Sequence, residues 1–155
     1  MKHLLFLLEE KSSKEFIENM LPRLFPDLSF KCIPFEGKQD LEKNIPIKLK
    51  GYNIPNTQFI ILRDQDSGDC KTIKSNLSQI CQLAHRPDTL IRIACKELES
   101  WYFGDLYSVE KALSIENLLQ FSNKRKYREP DLIMNPKREL KNITFLRIMS
   151  KLFRT

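Results

Sequence analysis

Three aspartates lie close together directly after an apolar run. Asp64, Asp66 and Asp69 follow residues 59–62, which read Phe-Ile-Ile-Leu. A short continuous apolar run predicts a buried strand, and ligands of open α/β sheets bind beyond the carboxyl ends of such strands. Carboxylates this close need a counter-ion, and their oxygens suit a hard cation such as Mg²⁺. The alternative is a solvated turn, in which Asp, Ser and Gly are ordinary residues.

The apolar spacing predicts a mostly parallel sheet flanked by helices. Segments typical of strands lie at residues 2–8, 29–33, 57–62 and 90–95. Segments with helical spacing lie between them, at residues 16–21, 41–49 and 73–84. Strands that alternate with helices indicate βαβ units. We expect Ser12 or Ser13 to cap the first helix, and Pro46 to interrupt or bend the second.

A second group of acids follows the fourth strand. If a helix begins within residues 96–105, Glu97 and Trp101 lie on one face of it. Glu97, Glu99 or both could then join the aspartates at the same sheet edge. Trp101 has two interpretations: it packs at the start of a helix, which is the commoner case, or it stacks on a nucleobase.

Composition indicates one globular domain. The chain has 155 residues, of which 41% are hydrophobic, and no apolar run reaches the roughly 18 residues that a membrane span needs. The start lacks a signal-peptide cleavage site, so we expect a soluble cytoplasmic protein without membrane contact. The four cysteines form no Cys-x-x-Cys pair, which predicts reduced thiols. Only Cys70 is near candidate chemistry, and it has no adjacent histidine base.

Positive charge is concentrated near the C-terminus. The net charge is +6, and residues 117–155 carry ten Lys or Arg against three acids. This division predicts a catalytic core at 1–116 and a basic extension at 117–155 that contacts nucleic acid, the alternative being a solvated lysine-rich surface. The candidate nucleic-acid-binding residues are Lys124, Arg125, Lys126, Arg128, Lys137 and Arg138.

The order of the acids resembles a known pattern. An apolar strand ending at Glu9 and a later strand ending in Asp64-x-Asp66 resemble a Toprim domain, the catalytic module of topoisomerases, primases and overcoming-lysogenization-defect nucleases. Residues 4–142 also resemble the bacterial family called domain of unknown function 4276, most closely at 6–10, 33–38, 64–70 and 96–102. The resemblance implies a compact, Rossmann-like, four-stranded α/β fold with a basic helical or loop segment at its C-terminal end.

The resemblance also implies roles for the acids. Asp64 and Asp66 would hold Mg²⁺ or Mn²⁺, with Asp69 as a further ligand, and Glu9 would act as general acid/base or complete the metal shell. Glu10, Glu97 and Glu99 are candidates for a second metal or for supporting the ligands. Lys71 or Lys96 could contact the phosphate. The sequence departs from these patterns in two places. Glu10 and Ser13 replace a Gly and an acid of the Toprim loop. The tail at 143–149 departs from the pattern of the domain of unknown function 4276, as truncation or a shifted reading frame would explain.

These features predict a metal-dependent nuclease that acts on DNA or RNA. The family resemblance implies a separate ATPase partner and a role in bacterial defence against phage. Two alternatives stay open: a non-catalytic regulatory partner of an ATPase, and a phosphoryl-transfer enzyme acting on a small nucleotide. The chain has no Gly-x-x-x-x-Gly-Lys-Ser/Thr loop for ATP, and the first strand ends in Glu9 rather than in the Asp-x-Asp of haloacid-dehalogenase-type phosphatases.

Overall fold

The computed structural model describes residues 2–152 of the chain, with side chains to residue 147. Its strands are β1 (His3–Leu8), β2 (Ser29–Pro34), β3 (Thr57–Asp64) and β4 (Leu90–Ala94). Its helices are α1 (Lys11–Leu24), α2 (Lys38–Gly51), α3 (Cys70–Leu83), α4 (Ser100–Gly104), α5 (Leu106–Leu113) and α6 (Pro136–Leu152). Three short 3₁₀ turns follow α5, at Leu119–Asn123, Arg125–Tyr127 and Pro130–Leu132. No helix among the described residues is long and apolar enough to cross a membrane.

The four strands form one parallel sheet in the order β2-β1-β3-β4. This confirms the predicted α/β class. In the register of the sheet, Leu8 lies opposite both Pro34 and Leu62, so β1 ends level with β2 and two residues before the end of β3. The buried β1 residues Leu5 and Leu7 are fully shielded from solvent, as expected for a central strand covered on its faces by helices.

The chain divides into two compact units, Met1–Ile93 and Ala94–Thr155, called here the first and second units. The first is built on the sheet, and its core joins strand residues to the apolar faces of α2 and α3. Its fully buried members include Leu41, Ile45, Leu49, Phe59, Ile61 and Leu77. The second unit has its own cluster, formed by Phe103, Leu106, Val109, Leu118, Phe121, Tyr127, Ile133 and Ile143. The division predicted between residues 116 and 117 follows charge rather than packing, and stays a prediction.

Two local predictions were wrong. Ser12 and Ser13 lie inside α1, which begins one residue after Glu10, and the Ser12 hydroxyl donates to Glu10 Oε1 instead of capping the helix. The predicted interruption of α2 at Pro46 was also wrong, because the helix runs unbroken through it. The reason is burial: Leu41, Ile45 and Leu49 recur every four residues and are fully buried, so core packing outweighs the one backbone hydrogen bond that a proline removes. The alternative, a bend at Pro46, stays a prediction.

Candidate functional site

The strand order places a crevice between the ends of two strands. The chain passes from β1 to β2 on one side and then returns to β3 on the other side of β1. The direction of the connections therefore reverses between β1 and β3, and open α/β sheets bind ligands beyond the carboxyl ends of strands at such a point. Glu9 follows β1, Asp64 ends β3, and Asp66 comes two residues later. These three residues are called the acidic site.

Glu9 is held in place by hydrogen bonds to β3 and to the turn before α2. Its Oε2 accepts the backbone N–H of Asp64 at 3.0 Å, its own N–H donates to the Leu62 carbonyl, and its carbonyl accepts the N–H of Gly37 at 2.9 Å. The side chain is 14% exposed. Burial raises the pKa of Glu9 above its usual range; the Asp64 N–H opposes this, and the charge of Asp66 adds to the rise. The residue is therefore positioned and more easily protonated than an ordinary glutamate.

Asp66 lies in an unusual backbone conformation. Its φ is 53°, in the left-handed region, which costs energy in a residue other than glycine and is often retained at functional sites. The side chain is 40% exposed, and its Oδ2 lies 3.5 Å from the Nζ of Lys38, the first residue of α2. The loop thus presents this carboxylate at the surface of the crevice with a lysine beside it.

Arg63 brings a buried cation to the acidic site. Its side chain is 10% exposed, and its guanidinium pairs with the Glu42 carboxylate of α2. Its Nε lies 4.0 Å from Glu9 Oε2. Sequence reasoning missed both Arg63 and Lys38. The signal for Arg63 was present, because it is the one charged residue in the otherwise apolar run that leads to the aspartates.

Two further acids predicted near the metal have roles at helix starts. Asp69 Oδ2 accepts the N–H and the hydroxyl of Thr72, both at 2.8 Å, and so caps α3. These bonds lower the pKa of Asp69. Glu10 precedes α1, and its Oε1 accepts the Ser12 hydroxyl at 2.5 Å. Their predicted metal roles stay predictions, but each carboxylate already contributes to the local fold.

Glu97 and Glu99 belong to the second unit. Glu97 Oε2 accepts the backbone N–H of Lys137 at 2.8 Å, in the first turn of α6, and Glu99 Oε1 lies 3.8 Å from Lys137 Nζ. The predicted helical face shared by Glu97 and Trp101 is wrong, because α4 begins only at Ser100. In the segment between β4 and α4, the Ser100 hydroxyl donates to the Cys95 carbonyl at 2.7 Å. Trp101 is 40% exposed.

The predicted nucleic-acid-binding residues all lie on the surface of the second unit. Buried Tyr127 anchors the 3₁₀ turn from which several of them project, and it stacks on Phe103. Lys126 pairs with Glu139 at 2.7 Å, while Lys124 lies over the ring of Phe121. The exposed residues are Lys124, Arg125, Lys126, Arg128, Lys137 and Arg138. Exposure is compatible with a nucleic-acid interface, which stays a prediction.

Comparison with protein families gives one match. The model of the domain of unknown function 4276 (DUF4276) matches residues 8–148, nearly the whole chain. The chain belongs to this family. The match extends past residue 142, where the sequence pattern suggested a departure. A comparison with curated proteins and a comparison with solved structures gave no match.

The donor set of this DUF4276 protein suits a hard divalent cation. Carboxylate oxygens are the ligands that Mg²⁺ and Mn²⁺ prefer, and the half-exposed Asp66 is accessible to a cation. Within the part of the chain that the structure describes, no three His, Cys, Asp or Glu side chains are gathered as a ready ligand set. Binding therefore requires the side chains of the acidic site to turn toward a common point.

Proposed function

We propose that this DUF4276 protein is a divalent-metal-dependent nuclease that cleaves DNA or RNA phosphodiesters. The observation that carries the proposal is the hydrogen bond from the Asp64 backbone to Glu9 at the point where the sheet connections reverse. It brings the end of β1 to the end of β3, and the charge of Asp66 acts on the same glutamate. An acid after the first strand with an Asp-x-Asp after a later one is also the pattern that resembles Toprim domains.

Each residue of the acidic site has a chemical task in this proposal. Asp64 and Asp66 would hold Mg²⁺ or Mn²⁺, which when bound neutralises phosphate charge and orients a water. Glu9 would accept or donate a proton at its carboxylate, because a raised pKa brings a glutamate closer to the pH at which proton transfer is efficient. Arg63 would keep that carboxylate oriented, since its buried Nε lies 4.0 Å away.

The exposed basic residues of the second unit support a polyanionic substrate. They would add an attraction to phosphates that does not depend on base sequence and weakens with salt. A small nucleotide would gain little from an extended basic surface. A separately encoded ATPase partner, and a role in defence against phage in the cytoplasm, belong to the proposal through the family resemblance alone.

Cleavage assays test the proposal directly. Supercoiled plasmid, single-stranded DNA and RNA are incubated with Mg²⁺ or Mn²⁺, using the native protein and the Asp64→Asn/Asp66→Asn double variant. We expect metal-dependent cutting that falls by about 100-fold or more in the double variant, because transition-state charge loses its compensation.

The matched control is Asp27→Asn/Asp88→Asn. It removes the same two charges from exposed aspartates in the α1–β2 and α3–β4 connections, which enter the opposite end of the sheet. Circular dichroism checks that both variants remain folded. Cutting that survives in the double variant would reject Asp64 and Asp66 as the site of cleavage. No cutting by the native protein, together with no calorimetric Mn²⁺ binding, would reject the nuclease and favour a regulatory protein.

A further inference from the structure

We propose that Lys38 is the residue that contacts a substrate phosphate at the acidic site, and that Asp66 holds it while no cation is bound. The inference rests on the proposed function and deepens it. The sequence pointed to Lys71 or Lys96 for this contact. The structure instead brings Lys38, which follows β2 in the chain, to the loop that follows β3.

The backbone of Lys38 is fixed beside Glu9. Gly37 donates its N–H to the Glu9 carbonyl at 2.9 Å, and its own carbonyl accepts the Leu41 N–H as α2 begins. Its φ of 98° lies in a region that favours glycine, so the turn that delivers Lys38 depends on this residue. The position of Lys38 near the end of β1 is thus set by the main chain rather than by its side chain.

Local stability does not explain a lysine at this position. A cation in the first turn of a helix opposes the helix dipole, so the charge of Lys38 weakens the start of α2. The ion pair with Asp66 adds little stability, because both side chains are about half exposed and water screens exposed pairs. The placement has a clear use only if the charge acts on something that reaches the crevice.

A bound cation would change the partner of Lys38. Once Asp66 Oδ2 binds a divalent ion, the lysine loses its counter-ion, while Gly37 before it stays hydrogen-bonded to Glu9 after β1. A phosphodiester beside that ion supplies negative oxygens, which lysine binds as a flexible point charge. Lys38 therefore competes with the cation when substrate is absent and assists it when substrate is present.

Two measurements on Lys38→Gln test these opposite effects. Without substrate, calorimetric Mn²⁺ binding is expected to become about two- to fivefold tighter, which is the fold-change equivalent of the exposed ion pair that is removed. The gain should shrink at high salt, because screening weakens the pair in the native protein. With a fluorescent single-stranded oligonucleotide in Ca²⁺, the dissociation constant is expected to rise about tenfold, as does the KM for cleavage, and Lys38→Arg should restore much of the affinity.

The matched control is Lys43→Gln, which removes the same charge from an exposed position on the same helix. The Lys38 proposal is overturned if Lys38→Gln and Lys43→Gln give equal Mn²⁺ and oligonucleotide affinities while the native protein still cuts nucleic acid. A tighter Mn²⁺ site with no cutting by any variant would retain the competition between Lys38 and a cation and reject cleavage by this chain without its partner. No Mn²⁺ binding by the native protein or by Lys38→Gln would reject both.

Discussion

Acidic side chains are used differently at the acidic site of the first unit and in the second unit. In the second unit they bind backbone N–H groups of an irregular fold: Glu110 Oε2 accepts from Leu118 at 2.6 Å and from Leu119 at 3.0 Å, and Glu97 accepts from Lys137. In the first unit the sheet and long helices satisfy most of the backbone themselves. There Glu9 is partly buried close to Asp66, and its pKa is raised, first by burial and then by the charge of Asp66.

The hydrogen-bond partners and burial of an acidic side chain thus help to distinguish structural acids from candidate catalytic ones. An acid that accepts backbone N–H groups in a segment without regular structure stabilises the fold, since those donors would otherwise lack a partner. An acid kept close to a like charge, partly buried, lowers stability and suggests a function. Removing acids should therefore destabilise the second unit, whereas at Glu9 it should have the opposite effect.

The largest change in stability is expected at Glu110. Glu110→Ala removes the acceptor of two backbone N–H groups and should lower the free energy of unfolding by about 2 kcal/mol, as measured by urea denaturation. Glu110→Gln keeps one acceptor oxygen and should lose less. A change below about 0.5 kcal/mol for the alanine variant would remove the proposed structural role of this carboxylate.

Glu9→Gln should have the opposite sign. The raised pKa means that the folded protein binds the proton of Glu9 more tightly than the unfolded chain does, so stability is lost as pH rises from about 4.5, the ordinary value, through the raised one. Glutamine keeps an acceptor for the Asp64 N–H without the charge. The variant should melt above the native protein at pH 7, and this gain should vanish below about pH 4.5. Equal melting temperatures at both pH values would contradict the pKa rise.

Asp69 should behave like an acid of the second unit. Asp69→Ala removes the cap of α3 and should lower the melting temperature by a few degrees, and Asp69→Ser should restore it because serine also caps helices. Asp105 caps α5 with the same pair of bonds, to the N–H and hydroxyl of Ser108, and gives the parallel test in the other unit. Loss of Mn²⁺ binding in Asp69→Ser, with the fold intact, would instead support its predicted role as a metal ligand.

The smallest effects concern two residues with left-handed backbone. Asp66 and Ser114 have φ values of 53° and 52°, and Ser114 directly follows α5. Substituting glycine at either position should raise the free energy of unfolding by up to about 1 kcal/mol, because glycine adopts this conformation without the steric cost. Only Asp66→Gly should abolish cleavage. Equal cleavage by the two glycine variants would place Asp66 outside the chemistry.

Part of this arrangement follows from the sequence and part does not. The apolar runs and helical spacing were sufficient for the four strands and for α1 to α3, because burial in a parallel sheet leaves continuous apolar segments. The approach of Glu9 to Asp64 also followed, since parallel strands end at one edge. The hydrogen-bond partner of Glu97 could not be predicted from the sequence, because Lys137 lies 40 residues away in an irregular unit. Lys38 was missed because only the turn at Gly37 brings it to the aspartates.

The hydrogen bond between the Asp64 backbone and Glu9 offers a spectroscopic reporter. An amide proton that points at a carboxylate shifts in the NMR spectrum when that carboxylate gains a proton, so the ¹⁵N–¹H peak of Asp64 should follow the titration of Glu9. The same peak should broaden or disappear when a paramagnetic ion such as Mn²⁺ binds nearby. One assigned resonance would thus report protonation and cation occupancy of the acidic site, with neither substrate nor partner present.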